Sequence, residues 1–531
     1  LWTRVEPDDP SEAVVVRWYV AADPDFDEIL TGGEVTAEPE VDHTVRVRLS
    51  ELEPYTDYYY RFTAELAEGD VTAETGRTKT APRPDADIAV RFAMTSCQEY
   101  VGRWYHAWRL LVQGEDVDFV LFLGDYIYET IADPRFQPAD TIRSLTLPEG
   151  LSLDGSTTNL AARTLSDYRA LYRQYRADPD LRRAHARFPF VVIWDDHEFT
   201  NDCWQDVANE FDGTRGEEHD SQRRRAATRA WHEYLPVDIA HDRDAAFPDD
   251  IVTYRTLRYG LHAELFLTDA RYYRDDHLVP ESEPEILVGK LMPNSALGSR
   301  VFAVKEGFDE LEAQAQLTML GATQRDWLVG AIGGSDATWK LWASALMVAQ
   351  LRLDLREVPE APALFQNEFY FKVDQWDGFR SERAQILSAL ANVDNFVVLS
   401  GDLHGNYVSE LRVDFDEPES RPMAAEFTVA GISSISLQEQ LDLFAATDPT
   451  LSMLGLDEVT PRFDQHLRAS GPHFRYANSS AYGYAVVDVL GASEIVVRFE
   501  EIEDVRKPDG YGERRRVSFR LPAGSTTPVE D

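Results

Sequence analysis

At 531 residues the chain exceeds what one hydrophobic core usually organises, so two or more domains are expected. It is 44% hydrophobic, ample for packed cores, and its formal net charge of −42 argues against electrostatic attachment to nucleic acid or to an anionic membrane. No apolar run approaches the roughly 20 residues of a membrane span.

The opening residues Leu1-Trp2-Thr3-Arg4 read as the middle of a strand, with no basic, apolar-cored leader before them, so the chain is expected to start after processing and not to show its own export signal. Residues 1–80 hold three strand-like runs, Val14–Val20, Thr44–Leu49 and Tyr58–Phe62, separated by Asp, Gly, Pro and Glu turns as in a small β-sandwich. Thr78 to Pro84 reads as a linker, because Pro82 and Pro84 resist both helix and ladder.

From about residue 88 apolar strands alternate with amphipathic stretches at Trp104–Val112, Tyr168–Tyr175, Arg223–Leu235 and Arg380–Leu390, which implies a layered α/β domain. Pro134 to Thr158 lacks periodicity and is expected as a surface excursion near the site. Late strands are expected at Glu426–Ala430 and Tyr484–Val489, and the acidic tail ending Pro528-Val529-Glu530-Asp531 is expected to fray. The division is therefore 1–82 sandwich, 88–500 layered α/β domain and 501–531 C-terminal extension.

Four apolar runs each end in a polar cluster. Ile88–Ala93 leads to Met94-Thr95-Ser96-Cys97, Phe119–Leu123 to Gly124-Asp125-Tyr126-Ile127-Tyr128-Glu129, Val191–Trp194 to Asp195-Asp196-His197-Glu198, and Phe396–Ser400 to Gly401-Asp402-Leu403-His404-Gly405-Asn406. Short β-branched and aromatic runs without polar alternation read as strands buried on both faces, and ligand residues gather where such strands end. One acidic strand end means little, since a lone Asp there is more often a turn or helix cap. Four together suggest a two-metal site.

Asp125 follows a glycine that allows a tight turn, and its carboxylate can bridge two cations. Tyr128 needs a strongly acidic metal such as ferric iron to stay deprotonated, because a free phenol has a pKa near ~10; plain packing is its alternative. Cys97 offers a thiolate, which disfavours Mg²⁺ or Ca²⁺ at that position, while the carboxylates suit a harder ion, so the donor types suggest two unlike metals. Asp402 and His404, two apart after a strand, can reach the same side. Asp196 is assigned to the metal and His197 to leaving-group protonation or transition-state stabilisation, with a structural hydrogen-bonding role as its alternative. Asp195 is a ligand or a partner behind the ligands, and Asn201 offers a nearby amide oxygen. Only Cys97 and Cys203 could form a disulfide, and their places beside the clusters favour at least one as a ligand over a buried free thiol. His106, His185, His219, His232 and His262 are left as structural or exposed, Trp339 and Trp376 as core or site wall, and Arg223-Arg224-Arg225 as a solvated helix face. Only six of the 52 basic residues are lysine; such an acidic, lysine-poor chain fits a halophile or an exported protein from a GC-rich genome equally well.

These motifs carry a resemblance. The chain resembles the PhoD-like alkaline phosphatase and phosphodiesterase family, within the calcineurin-like metallophosphoesterases, through Thr95-Ser96-Cys97, Gly124–Glu129, Trp194–Glu198 and Ser400–His404. Tyr168-Arg169, Asp178-Pro179, His185, Gln324, Trp327-Leu328, Ala337–Lys340 and Asp374–Gly378 support it in order and spacing. The resemblance implies an N-terminal fibronectin-like sandwich and a four-layer α/β core. It implies Fe³⁺ held by Cys97, Asp125, Tyr128 and His404, beside one or more Ca²⁺ held by Asp125, Asp196 and Asp402. The usual Asn-His pair of the superfamily stands here as Asp196-His197, which changes that metal's ligand charge. The family likeness further implies a secreted or cell-envelope protein exported folded by the twin-arginine route, and a monomer is expected. The function expected is metal-dependent hydrolysis of small-molecule phosphate esters, as a monoesterase or diesterase. A phospholipase D-type diesterase and a non-catalytic, metal-stabilised surface protein are the alternatives.

Overall fold

The computed structural model describes residues 1–134, 137, 143–208, 218–279, 300–363, 365–417, 419–447 and 459–531. Two seven-stranded sheets form its centre. The first runs in the order Phe190–Ile193, Phe119–Leu123, Val90–Thr95, Tyr482–Leu490, Glu494–Ile502, Arg514–Pro522, Val529–Glu530. The second runs Arg255–Tyr259, Ala263–Leu267, Trp339–Ala343, Phe396–Ser400, Ala424–Thr428, Asn406–Leu411, Phe474–Asn478. In each, consecutive parallel strands bring their C-terminal ends to one rim.

Period-two burial explains the layering. Phe119, Leu121 and Leu123 face a core shared with Leu265, Leu341, Leu399 and Phe427 of the second sheet. Val120 and Phe122 face the opposite way, against Trp108, Tyr168, Leu171 and Trp231 of the helices His106–Gly114, Leu165–Arg176 and Ser221–Tyr234. On the far side, Phe266, Trp342 and Val398 pack on Leu328, Ile332, Ile386 and Leu387 of the helices Gly321–Gly334 and Arg380–Leu390. The order is helix, sheet, sheet, helix. A strand whose two faces both meet apolar layers has no reason to alternate in polarity, which is why these runs read as continuous.

Residues 1–79 form a five-stranded antiparallel sheet and a two-stranded ribbon, Trp2–Arg4 with Thr44–Arg46, around Val5, Val14, Val16, Val45 and Phe62. The strand Ile29–Ala37 is additional to those expected; Gly32 and Gly33 and an exposed surface hide it in the sequence. This region docks on the helix pair of the first sheet. Trp2 Nε1 donates to Glu233 O at 2.8 Å, Arg46 to Val237 O at 2.8 Å, and Arg173 meets Asp42 at 3.2 Å.

Three expectations are corrected. The tail does not fray: Val529–Glu530 pairs with Arg514–Pro522, and Val517, Phe519 and Leu521 of that strand enter the inter-sheet core. Residues 501–531 therefore continue the first sheet. The excursion 134–158, of which 135, 136 and 138–142 lie outside the described residues, is not merely superficial. Leu145 and Leu147 are buried in the helical core, and Arg143 pairs with Asp178 at 2.7 Å. Arg223 and Arg224 are buried rather than solvated, because Arg224 stacks over Trp194, Phe199 and Tyr272 and donates to Cys203 Sγ at 3.5 Å.

Candidate metal centre

The four polar clusters meet where the rims of the two sheets face each other. Cys97, Asp125 and Asp195–His197 come from the first sheet, Asp402 and His404 from the second. An isolated bridge, Ser96 to Gly431, ties the rims together, and a Cβ on Gly431 would stand 2.9 Å from Cys97 O. Cys97, Asp125, Asp402 and His404 all hold left-handed backbones, with φ of 52°, 60°, 60° and 56°. Each such residue costs ~1–2 kcal/mol for an L side chain. Strain of this kind persists only where the surroundings over-determine it, and it clusters at functional sites.

Ligand-type atoms of Cys97, Asp125 and His404 lie within 4.8 Å of one another. Tyr128 joins them: its hydroxyl donates to Asp125 Oδ2 at 3.1 Å and stands 3.3 Å from His404 Nε2. His404 Nδ1 lies 2.6 Å from Ile435 O, so it carries the proton and Nε2 keeps the lone pair a cation needs. Burial, then the nearby Lys372, depresses the His404 imidazole to about 3, which keeps it neutral. Burial and the Asp125 and Asp402 carboxylates raise the Cys97 thiol well above its usual range, and burial with Asp125 and Cys97 does the same to the Tyr128 phenol. Without a cation, Cys97, Asp125 and Tyr128 are three crowded acids beside a neutral imidazole.

A second group follows alongside. Asp195, Asp196 and Asp402 come within 4.8 Å of one another, as do Asp125, Asp196 and His197. Asp125 thus belongs to both sides. Its Oδ1 and Asp195 Oδ2 are buried without a hydrogen-bond partner. Buried carboxylate oxygens left unpaired are costly, and a cation between them removes the cost. The residues present therefore fit a pair of metal ions, with the sulfur and phenol donors on one side and oxygen donors on the other.

His197 is held by its neighbours. Its Nδ1 is 2.6 Å from Glu129 Oε2, its ring centroid is 4.0 Å from that of Tyr128, and its backbone N–H donates to Asp196 Oδ1 at 2.9 Å. Burial opposes its charge, but Glu129, Asp196 and Asp125 outweigh that and raise it well above the ordinary imidazole range. Asn201 is half-buried, and its backbone N–H donates to Glu129 Oε1 at 2.8 Å. Cys203 belongs to neither donor group; it is a buried free thiol whose Sγ donates to Asp196 O at 3.9 Å and which burial, chiefly, raises to about 12.

Several residues that shape the centre had no role assigned from sequence. Glu198 accepts the backbone N–H groups of Asp125, Tyr126 and Asp195 at 3.1, 2.7 and 2.9 Å, locking two strand ends together. Ser434 donates to Tyr128 at 2.6 Å, and Gln375 donates to Asp402 Oδ2. Arg271 reaches Asp195 from the end of the strand Ala263–Leu267. Glu264 interrupts that apolar run, so its end did not stand out as a fifth cluster.

Loss of the Glu129 charge is a direct test of the His197 arrangement. Partners that orient a site histidine are worth ~10–100-fold, so Glu129→Gln is expected to lower kcat by about that factor with metal content unchanged. Steady-state kinetics beside elemental analysis would check it, and a wild-type kcat would show that the contact orients nothing of consequence.

The sequence profile described as PhoD-like phosphatase matches residues 92–497, and that of the PhoD-like phosphatase N-terminal domain matches residues 1–82. Alkaline phosphatase D of Bacillus subtilis (strain 168) is 32% identical over 445 residues, which cover 82% of this chain and 67% of the relative. The solved structure of PhoD aligns with a TM-score of 0.74 at 28% identity, over 100% of this chain and 88% of that one. The purple acid phosphatase of yellow lupin (Lupinus luteus) seeds gives a TM-score of 0.46 at 12% identity, over 97% and 70%.

Proposed function

The chain belongs to the PhoD-like phosphatase family, and from that premise we propose that it is a metal-dependent phosphoric ester hydrolase whose centre holds Fe³⁺ beside Ca²⁺. The observation that carries the metal reading is the meeting of Cys97, Asp125, Tyr128 and His404 next to Asp195, Asp196 and Asp402. Iron is assigned to the first four, since thiolate and phenolate together suit a ferric ion. Calcium is assigned to Asp125, Asp196 and Asp402, with Asp195 and Asn201 as further donors. When bound, the cations supply Lewis acidity toward phosphoryl oxygens and activate water for in-line attack. His197, oriented by Glu129, protonates the leaving oxygen or stabilises the charge that forms there.

On this reading residues 1–82 are a fibronectin-like sandwich and the catalytic domain begins at 88. The ladder from Glu494–Ile502 to Arg514–Pro522 supports counting 501–531 with that domain. Small-molecule esters are the substrates, and the protein acts as an exported monomer. Among the described residues no helix is long and apolar enough to cross a membrane.

Metal analysis tests the assignment. The expected result is about one iron per chain with a visible phenolate-to-iron absorption band. Elemental analysis showing only zinc, or full activity with no visible absorption, would defeat it.

A further inference from the structure

Arg271 faces three carboxylates, Asp195, Asp196 and Asp374. Its side chain is fully buried. Its Nε donates to Asp195 Oδ1 at 2.5 Å, and its two terminal nitrogens straddle Asp374, Nη1 to Oδ1 at 3.1 Å and Nη2 to Oδ2 at 2.9 Å. Nη2 also stands 3.6 Å from Asp196 Oδ2. The backbone that delivers it is fixed in turn. Asp269 Oδ1 accepts the N–H groups of Arg271 and Tyr272, both at 2.9 Å, and Gln324 clamps the Asp269 backbone through bonds of 2.7 and 2.9 Å.

The partners of Arg271 lie on two different loops that both lead into the centre. Asp195 is one residue before Asp196. Asp374 is one residue before Gln375, whose amide holds Asp402. One guanidinium thus joins the loop bearing Asp196 to the loop that braces Asp402. Asp374 Oδ1 also meets Arg274 at 3.0 Å and His277 Nε2 at 2.6 Å, so this join is anchored. None of the four donors assigned to iron is a partner of Arg271.

We propose that Arg271 is a positioning residue that sets the separation of Asp196 and Asp402, and so governs how tightly the cation beside iron is held. The inference rests on the two-metal reading above. A planar fork can grip Asp195 and Asp374 at once, whereas the single nitrogen of lysine cannot. Arg271→Lys therefore keeps the charge and loses the join, and Arg271→Met loses both.

The test uses the full chain, stripped of its weakly held metal and titrated by calorimetry with whichever of Ca²⁺, Mg²⁺, Mn²⁺ or Zn²⁺ best restores activity to the wild-type protein. Partners behind metal ligands are worth ~10–100-fold in affinity, so Arg271→Lys is expected to weaken binding of that cation at least about tenfold. Its iron content and visible band should stay as in the wild type, and kcat should fall more than KM rises at limiting cation. Wild-type cation affinity in Arg271→Lys would overturn the proposal even if Arg271→Met were impaired or unfolded, because charge alone would then account for the residue. Loss of iron together with the second cation would also overturn it, since the role would be general to the fold. A wild-type protein that binds and needs no second cation would instead remove the two-metal reading itself.

Discussion

Asp125→Ala is expected to empty the centre and nearly abolish turnover. Among the described residues, Asp125 is the one carboxylate that belongs to both donor groups, with Oδ2 beside Tyr128 and Oδ1 buried and unpaired. Metals at such a site supply several kcal/mol of transition-state stabilisation, and each 1.36 kcal/mol is tenfold in rate, so the loss should be on the order of 10³-fold or more. Asp402→Ala should act similarly, with the second cation lost before iron, because Asp402 is grouped with Asp195 and Asp196. Elemental analysis and kcat/KM on one ester are the readouts. Either variant keeping both metals at the wild-type rate would show that the centre lies elsewhere.

The second large effect concerns His197. If it protonates the leaving oxygen, its removal should hurt esters with poor leaving groups most. A nitrophenolate departs without a proton, whereas an alkoxide does not. General acid assistance is worth ~10²–10⁴-fold, so His197→Ala should slow alkyl phosphate esters by about that factor and nitrophenyl esters distinctly less. Metal content should be unchanged. Equal losses on both esters would move His197 to electrostatic stabilisation of the phosphoryl group, and metal loss would make it a ligand or ligand support.

The residues that meet in the candidate centre were legible because each sits within a few residues of a strand buried on both faces. Such strands carry their own signature, and their ends are where a chain can point a functional group at a neighbour. Phe119–Leu123 and Phe396–Ser400 needed no other information. Their assignment to two different sheets was not legible, since a doubly buried strand looks the same whichever sheet it joins. Arg223 and Arg224 were misread because three consecutive arginines on a helix suggest solvent; the aromatic floor of Trp194, Phe199 and Tyr272 comes from distant segments. The run Arg514-Arg515-Arg516 hid a core strand for the same reason. Arg271 was missed because its importance lies wholly in what it touches, and Asp195 and Asp374 are 76 and 103 residues away in sequence.

The position of Val90–Thr95 in the first sheet has a temporal consequence. One neighbour, Phe119–Leu123, follows closely along the chain; the other, Tyr482–Leu490, begins 387 residues after Thr95 (95 to 482). At a synthesis rate of about 5–20 residues per second, that strand edge waits roughly 20–80 s for its partner. Asp402 and His404 emerge within the same interval on a different sheet. On the proposed metal reading, the full donor set cannot close around a cation before Asp402 and His404 have been made and the rims of the two sheets have met.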